Sequence, residues 1–121
     1  MFNALGKKVV EFQGLETFKA PERCNLVVMT SDEVSAVCPV TNQPDLYTVE
    51  IRYEPNELCL ESKSLKMYFQ ALRNVGVFCE ALSETILSDI VDALEPHSAE
   101  VTVTQKARGG ITIGARSTYD R

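Results

Sequence analysis

The change of hydrophobic period along the chain is the feature that most constrains its fold. Residues 46–53 alternate, with large apolar side chains at the odd-numbered positions, which predicts a half-buried strand. Residues 64–73 and 80–94 instead space their apolar side chains three or four positions apart, which predicts two helices that each bury one face. Pro96 ends the second of these helices.

Further strands are predicted at residues 25–30, 99–106 and 111–115, with a glycine turn between the last two. The order of two strands, two helices and two strands predicts an α+β fold, with both helices on one face of an antiparallel sheet. The second face is then uncovered in one chain, which favours closure of several sheets into a shared barrel. We predict one domain over residues 1–121, with an extended lead-in at residues 1–24.

Composition narrows the classes of function. The formal net charge of −5 argues against a broad nucleic-acid surface, so we expect no direct nucleic-acid contact. We find neither an apolar run of transmembrane length nor a signal peptide, and expect a cytoplasmic protein with no membrane partner. The 4 cysteines form no CxxC pair and there is 1 histidine, so we expect no metal site and a reducing environment.

Residues 38–45 (CPVTNQPD) form a candidate reactive loop, stiffened by two prolines. An accessible Cys38 could act as a nucleophile, and Asp45 could accept its proton and return it to a substrate. By spacing alone, a half-buried structural cysteine and an aspartate at a strand start are the commoner explanation.

Other polar residues admit two interpretations each. Lys63 and Lys66, at a helix start, could hold a phosphate-bearing cofactor, although a solvated charged face is commoner. Glu80 could accept paired hydrogen bonds from a guanine-like edge, or simply interact with the helix dipole. Arg108 could reach a phosphate or decorate a turn. We interpret Cys24, Cys59 and Cys79 as packing residues, and we assign the exposed His97 no role.

Four collinear segments resemble the QueF family of nitrile reductases of the queuosine pathway. They are residues 38–45 (CPVTNQPD), 61–68 (ESKSLKMY), 78–80 (FCE) and 108–111 (RGGI). The resemblance implies the tunnelling fold, which is similar to that of GTP cyclohydrolase I. It also implies NADPH-dependent reduction of the nitrile of 7-cyano-7-deazaguanine to an aminomethyl group, by a homo-oligomer of paired pentamers.

The resemblance also implies residue roles. Cys38 would attack the nitrile carbon to form a thioimide, and Asp45 would act as general acid and base. Substrate binding would fall to Glu80, Cys79, Glu61 and Ser62, and cofactor binding to Lys63, Ser64, Lys66 and Arg108. This sequence departs from the family pattern at Cys79, usually histidine, at Asn42, usually glycine, and at Met67, usually leucine or tyrosine.

Two other functions remain open from the sequence. A QueF-like amidinotransferase of archaeosine synthesis would share the thioimide but use an amine donor on tRNA, and Cys79 keeps this reading open. A non-catalytic deazaguanine-binding module would bind the base without turnover. The complete 61–68 segment and the acidic charge favour reduction.

Overall fold

A computed structural model describes residues 12–121 and contains a four-stranded antiparallel sheet with two helices. The elements in chain order are β1 (Thr17–Lys19), β2 (Val27–Val37), β3 (Pro44–Glu54), β4 (Leu58–Leu60), α1 (Ser62–Ala71), a 3₁₀ turn (Leu72–Asn74), α2 (Cys79–Leu94), β5 (Ser98–Arg108) and β6 (Ile111–Asp120). The large sheet has the order β2-β3-β5-β6, and β1 pairs with β4. The predicted α+β class is confirmed.

The predicted element ends need correction. The strand predicted at residues 25–30 begins two residues later, at Val27, and β2 and β6 run to 11 and 10 residues. The predictions ended too early because polar side chains continue on the open face while the backbone ladder persists. Strand β1 lies within the predicted lead-in, whose residues 1–11 lie outside the described part, so the extended lead-in stays a prediction.

The helices pack on one face of the sheet, as the alternation predicted. Tyr47, Val49, Ile51 and Tyr53 of β3 are all buried on this face. They form one continuous core with the apolar residues of α2, namely Leu82, Ile86, Ile90 and Leu94. Each large apolar side chain buried in this way contributes about 1.5–3 kcal/mol to folding. The single-domain boundaries remain a prediction.

The opposite face of the sheet is polar and partly exposed. Two ion pairs lie on this face, Arg52 with Glu50 and Arg116 with Glu100, each with an N–O distance of 3.6 Å. Strands β2 and β6 end the sheet at its two edges. None of the described helices is long and apolar enough to cross a membrane. Closure of this face by neighbouring subunits stays a prediction.

Candidate active site

Cys38 lies directly after β2 in a loop that its own backbone closes. The Cys38 amide donates to the Gln43 carbonyl at 2.8 Å, and the Asn42 amide donates to the Cys38 carbonyl at 2.9 Å. Asn42 has a φ of 59°, in the left-handed region. Asparagine is one of the few residues that adopt this region readily, so Asn42 can take the place of the glycine that is usual in the family.

The loop also acidifies the Cys38 thiol. Hydrogen bonds from the Thr41 side chain, then from the Thr41 and Val40 backbone, lower the pKa of the partly exposed thiol. The nearby Asp45 carboxylate acts in the opposite direction with a smaller effect. Because the thiolate is the nucleophilic form of cysteine, this environment favours reactivity.

Asp45 is buried near the start of β3, opposite Ala36 of β2. Its Oδ1 accepts a hydrogen bond from Arg108 Nη1 at 2.5 Å, while Arg108 Nη2 donates to Gln43 Oε1 at 2.6 Å. The guanidinium at the end of β5 therefore ties the Cys38 loop to Asp45. Arg108 thus has partners within the chain, and its predicted contact with the cofactor stays a prediction.

The segment before α2 places the first turn of this helix at the end of the sheet where Cys38 lies. The Val37 amide donates to the Val75 carbonyl at 2.9 Å, and the Val77 amide donates to the Val37 carbonyl at 3.0 Å. The chain then enters α2, with the exposed Glu80 in the first turn. Thus Cys38, Asp45 and Glu80 lie at the same end of the sheet, and their roles in catalysis and binding stay predictions.

Cys79 has no accessible thiol in this structure. It is 2% exposed, and its Sγ lies 3.7 Å from the Val103 carbonyl oxygen and 3.8 Å from that of Ile113. Burial, and next the neighbouring Glu80 carboxylate, raises the pKa of this thiol. The packing role interpreted from the residues agrees with this placement. The substrate contact implied by the resemblance stays a prediction.

Residues 61–68 are organised around the start of α1. The Glu61 carboxylate accepts the backbone amides of Lys63 at 2.8 Å and Ser64 at 2.7 Å, and these bonds lower the pKa of Glu61. The buried Ser64 hydroxyl accepts from the Glu16 amide and donates to the Glu61 carbonyl, both at 2.9 Å. The helix amides predicted to bind phosphate are therefore already paired, and Ser64 has partners within the fold.

Ser62, Lys63 and Lys66 remain exposed. A cavity of about 290 Å³ separates α1 from β2, lined by Met29, Thr30, Ser31, Ser62, Leu65, Lys66 and Phe69. The partners of Ser31 and Val37 on β3 are five residues apart, so the two residues lie about 17 Å apart at the usual rise per strand residue. One chain therefore does not bring its own Lys66 to its own Cys38.

Sequence reasoning missed three residues at the site. Thr41 and Gln43 lie inside the 38–45 segment, but their contacts with Cys38 and Arg108 have no sequence signal. Tyr47 was interpreted as a core residue, and its hydroxyl is buried beside the site without a hydrogen-bond partner among residues 12–121. An apolar period cannot distinguish tyrosine from phenylalanine, so only the structure could identify this hydroxyl.

Comparisons with known proteins show which family the chain resembles. A family model described as QueF-like protein matches residues 44–121. A relative from Chlorobium chlorochromatii (strain CaD3), named NADPH-dependent 7-cyano-7-deazaguanine reductase, is 47% identical over 81% of this chain and 86% of its own length. A relative of the same name from Syntrophus aciditrophicus (strain SB) is 41% identical over 97% of this chain and 85% of its own length.

The fold is also found among solved structures. The apo crystal structure of the archaeosine synthase QueF-Like matches with a TM-score of 0.76 at 22% identity. The match covers 85% of this chain and 98% of that chain, and at this identity it shows the shared fold alone. On the family model and the sequence relatives together, the chain belongs to the QueF-like protein family.

Proposed function

We propose that this protein is an NADPH-dependent reductase that converts the nitrile of 7-cyano-7-deazaguanine to the aminomethyl group, for queuosine modification of tRNA. The observation that carries the proposal is an acidified thiol, Cys38, at the same end of the sheet as Asp45 and Glu80. The names of the relatives supply the substrate and the cofactor. We keep Glu80 as the proposed anchor of the base, because its carboxylate can accept paired N–H donors.

The chemistry begins with proton transfer from Cys38 to Asp45. The thiolate sulfur then bonds to the nitrile carbon, one π pair moves onto the nitrogen, and Asp45 returns the proton to that nitrogen. The product is a thioimide, whose protonated C=N is more electrophilic than the parent nitrile. Attachment to Cys38 also fixes the reacting carbon, so the reduction becomes a positioned step rather than a collision.

The exposed residues of α1 fit a cofactor that carries phosphates. Lys66 lines the cavity next to β2, and Lys63 is a second exposed cation in the first turn of the same helix. Because Glu61 occupies the helix amides, these side chains would supply the phosphate contacts in place of the helix N-terminus. Reduction of a nitrile to an amine requires two hydrides, so two NADPH molecules, bound one after the other, would each supply one.

We further propose that a neighbouring subunit completes each site in a homo-oligomer of paired pentamers. The separation of Lys66 from Cys38 within one chain supports this arrangement, as do the open polar face and the two sheet edges. A reducing, cytoplasmic environment also belongs to the proposal, because Cys38 must keep a free thiol to act as the nucleophile.

An anaerobic assay tests the proposed function. We expect NADPH absorbance to fall when 7-cyano-7-deazaguanine is added, and the mass spectrum to show the aminomethyl product. Without NADPH, we expect a covalent adduct on Cys38 that is absent from Cys38→Ala. An adduct on Cys24, Cys59 or Cys79 would contradict the proposed nucleophile, and no NADPH loss with the wild-type protein would contradict the reductase assignment.

Because the fold is shared with the archaeosine synthase QueF-Like, an amidinotransferase is the second function to test. An amidinotransferase would join an amine to the thioimide carbon and leave NADPH unchanged. Incubation with labelled ammonia and the cyano base, with and without NADPH, separates the two enzymes by product mass. A binding module without turnover would give neither product and would only bind the base.

A further inference from the structure

The hydroxyl of Tyr47 is a buried polar group for which residues 12–121 provide no partner. Tyr47 is 0% exposed, and its hydroxyl oxygen has no hydrogen-bond partner among residues 12–121. A buried hydroxyl without a partner destabilises the folded state, whereas phenylalanine would fill the same space without this cost. Packing of the core therefore explains the ring of Tyr47 but not its hydroxyl.

Tyr47 lies among the groups proposed for chemistry. It is two residues after Asp45 on β3, so both side chains project from the same face of the sheet. It pairs with Val34 on one side and with Gln105 on the other, and Gln105 in turn pairs with Ile113, whose carbonyl contacts the Cys79 thiol.

The surroundings keep this hydroxyl protonated. Burial, followed by the nearby Asp45, Cys79, Cys38 and Glu80 groups, raises the pKa of Tyr47 to about 12. At neutral pH the hydroxyl is therefore a hydrogen-bond donor that lacks an acceptor. Cys79 cannot supply this donor, because its thiol is directed to two backbone carbonyls.

We infer that Tyr47 donates a hydrogen bond to the nitrile nitrogen of the bound substrate, an inference that rests on the proposed function. Addition of the Cys38 sulfur places negative charge on that nitrogen before Asp45 protonates it. A fixed donor directed at developing charge lowers the barrier more than it strengthens ground-state binding. Tyr47 would thus act at the addition step and transfer no proton itself.

Tyr47 has no access to solvent, so substrate binding must displace a neighbouring group, and the start of α2 brings Cys79 and Glu80 near this hydroxyl. Two features of that start are compatible with movement. The N-cap residue Phe78 has an apolar side chain, which cannot cap the helix, and the residue is 55% exposed. The exposed Glu80, which we propose as the anchor of the base, belongs to the same helical turn.

Tyr47→Phe tests the inference, with Tyr53→Phe as the matched control. Tyr53 is buried on the same face of β3, but its hydroxyl accepts the Leu60 amide at 2.9 Å, away from the site. We measure melting temperature and the rate of adduct formation at Cys38 without NADPH. We expect Tyr47→Phe to melt at or above the wild-type temperature and to form the adduct about 100-fold more slowly. Tyr53→Phe should melt lower and form the adduct at the wild-type rate.

The outcomes separate this inference from the proposed function. A folded Tyr47→Phe protein with the wild-type adduct rate overturns the role of Tyr47 and leaves the reductase assignment intact. Loss of folding in Tyr47→Phe also overturns the inference, because the hydroxyl would then have a structural partner. A wild-type protein that forms no adduct overturns both.

Discussion

Thr41 controls how readily Cys38 loses its proton. The Thr41 hydroxyl makes the largest contribution to lowering the pKa of this thiol. A lowered pKa means that the thiolate is populated at lower pH than in an ordinary cysteine, so Thr41→Val should shift the pH profile of Cys38 alkylation to higher pH. The rate at neutral pH should fall accordingly. Alkylation followed by mass spectrometry across a pH series measures both effects.

Thr41→Ser is the control for this prediction, because it retains the hydroxyl and removes only a methyl group. Its pH profile should stay close to that of the wild type. If Thr41→Val and the wild type show the same midpoint, the hydroxyl has no part in the acidity of Cys38.

For single residues, proximity within one segment could be predicted from the sequence, and contacts between strands could not. The CPVTNQPD segment indicated a cysteine and a carboxylate close together, and the loop does hold them at one end of the sheet. Arg108 and Asp45 are 63 positions apart, so no local pattern could indicate their ion pair. The interpretation of Cys79 as a packing residue came from its chemistry and agrees with its burial.

Among the elements, types were predicted more reliably than ends. The odd-position alternation of β3 and the apolar spacing of α2 follow directly from what each element buries. The pair formed by β1 and β4 was missed because three residues per strand carry no detectable period. The start of α1 was predicted two residues late, because Ser62 belongs to the first turn that Glu61 caps.

Glu61 should matter to the stability of α1. Its carboxylate satisfies two backbone amides that would otherwise lack partners at the helix start. We expect Glu61→Ala to lower the melting temperature by a few degrees at neutral pH, and Glu84→Ala, a charge-matched change on the exposed side of α2, to have little effect. Thermal unfolding followed by circular dichroism measures this difference.

The same pair of variants has a defined pH dependence. Because the folded state lowers the pKa of Glu61, its stabilising effect is present above the unfolded-state pKa and is lost as pH falls through the folded-state pKa. The difference between wild type and Glu61→Ala should therefore vanish in acid. A Glu61→Ala protein with unchanged stability but weaker binding of the cyano base would favour the substrate role that the resemblance implied.

For the whole molecule, the central question is whether the α1 and the Cys38 of one site come from the same subunit. Within one chain, the exposed Lys66 of α1 lies beside residues 29–31 of β2, whereas Cys38 follows the end of this strand. The open polar sheet face and the edge strands β2 and β6 offer surfaces through which a second copy could bring its α1 closer. Sequence patterns could indicate the uncovered face, but not which residues would meet across it.

Mixing two inactive variants tests whether sites are shared between subunits. Cys38→Ala removes the nucleophile, and Lys63→Ala combined with Lys66→Ala removes the proposed phosphate contacts, so each protein alone should reduce little or no nitrile. If every site combines Cys38 of one subunit with α1 of another, co-refolding the two variants in equal amounts should restore about a quarter of wild-type activity, because random assembly pairs two intact halves at that frequency. Wild-type protein refolded in the same way provides the reference, and light scattering confirms assembly. If hybrids assemble but no NADPH oxidation returns, each site draws both groups from one chain, and α1 must then move toward Cys38 within its own subunit.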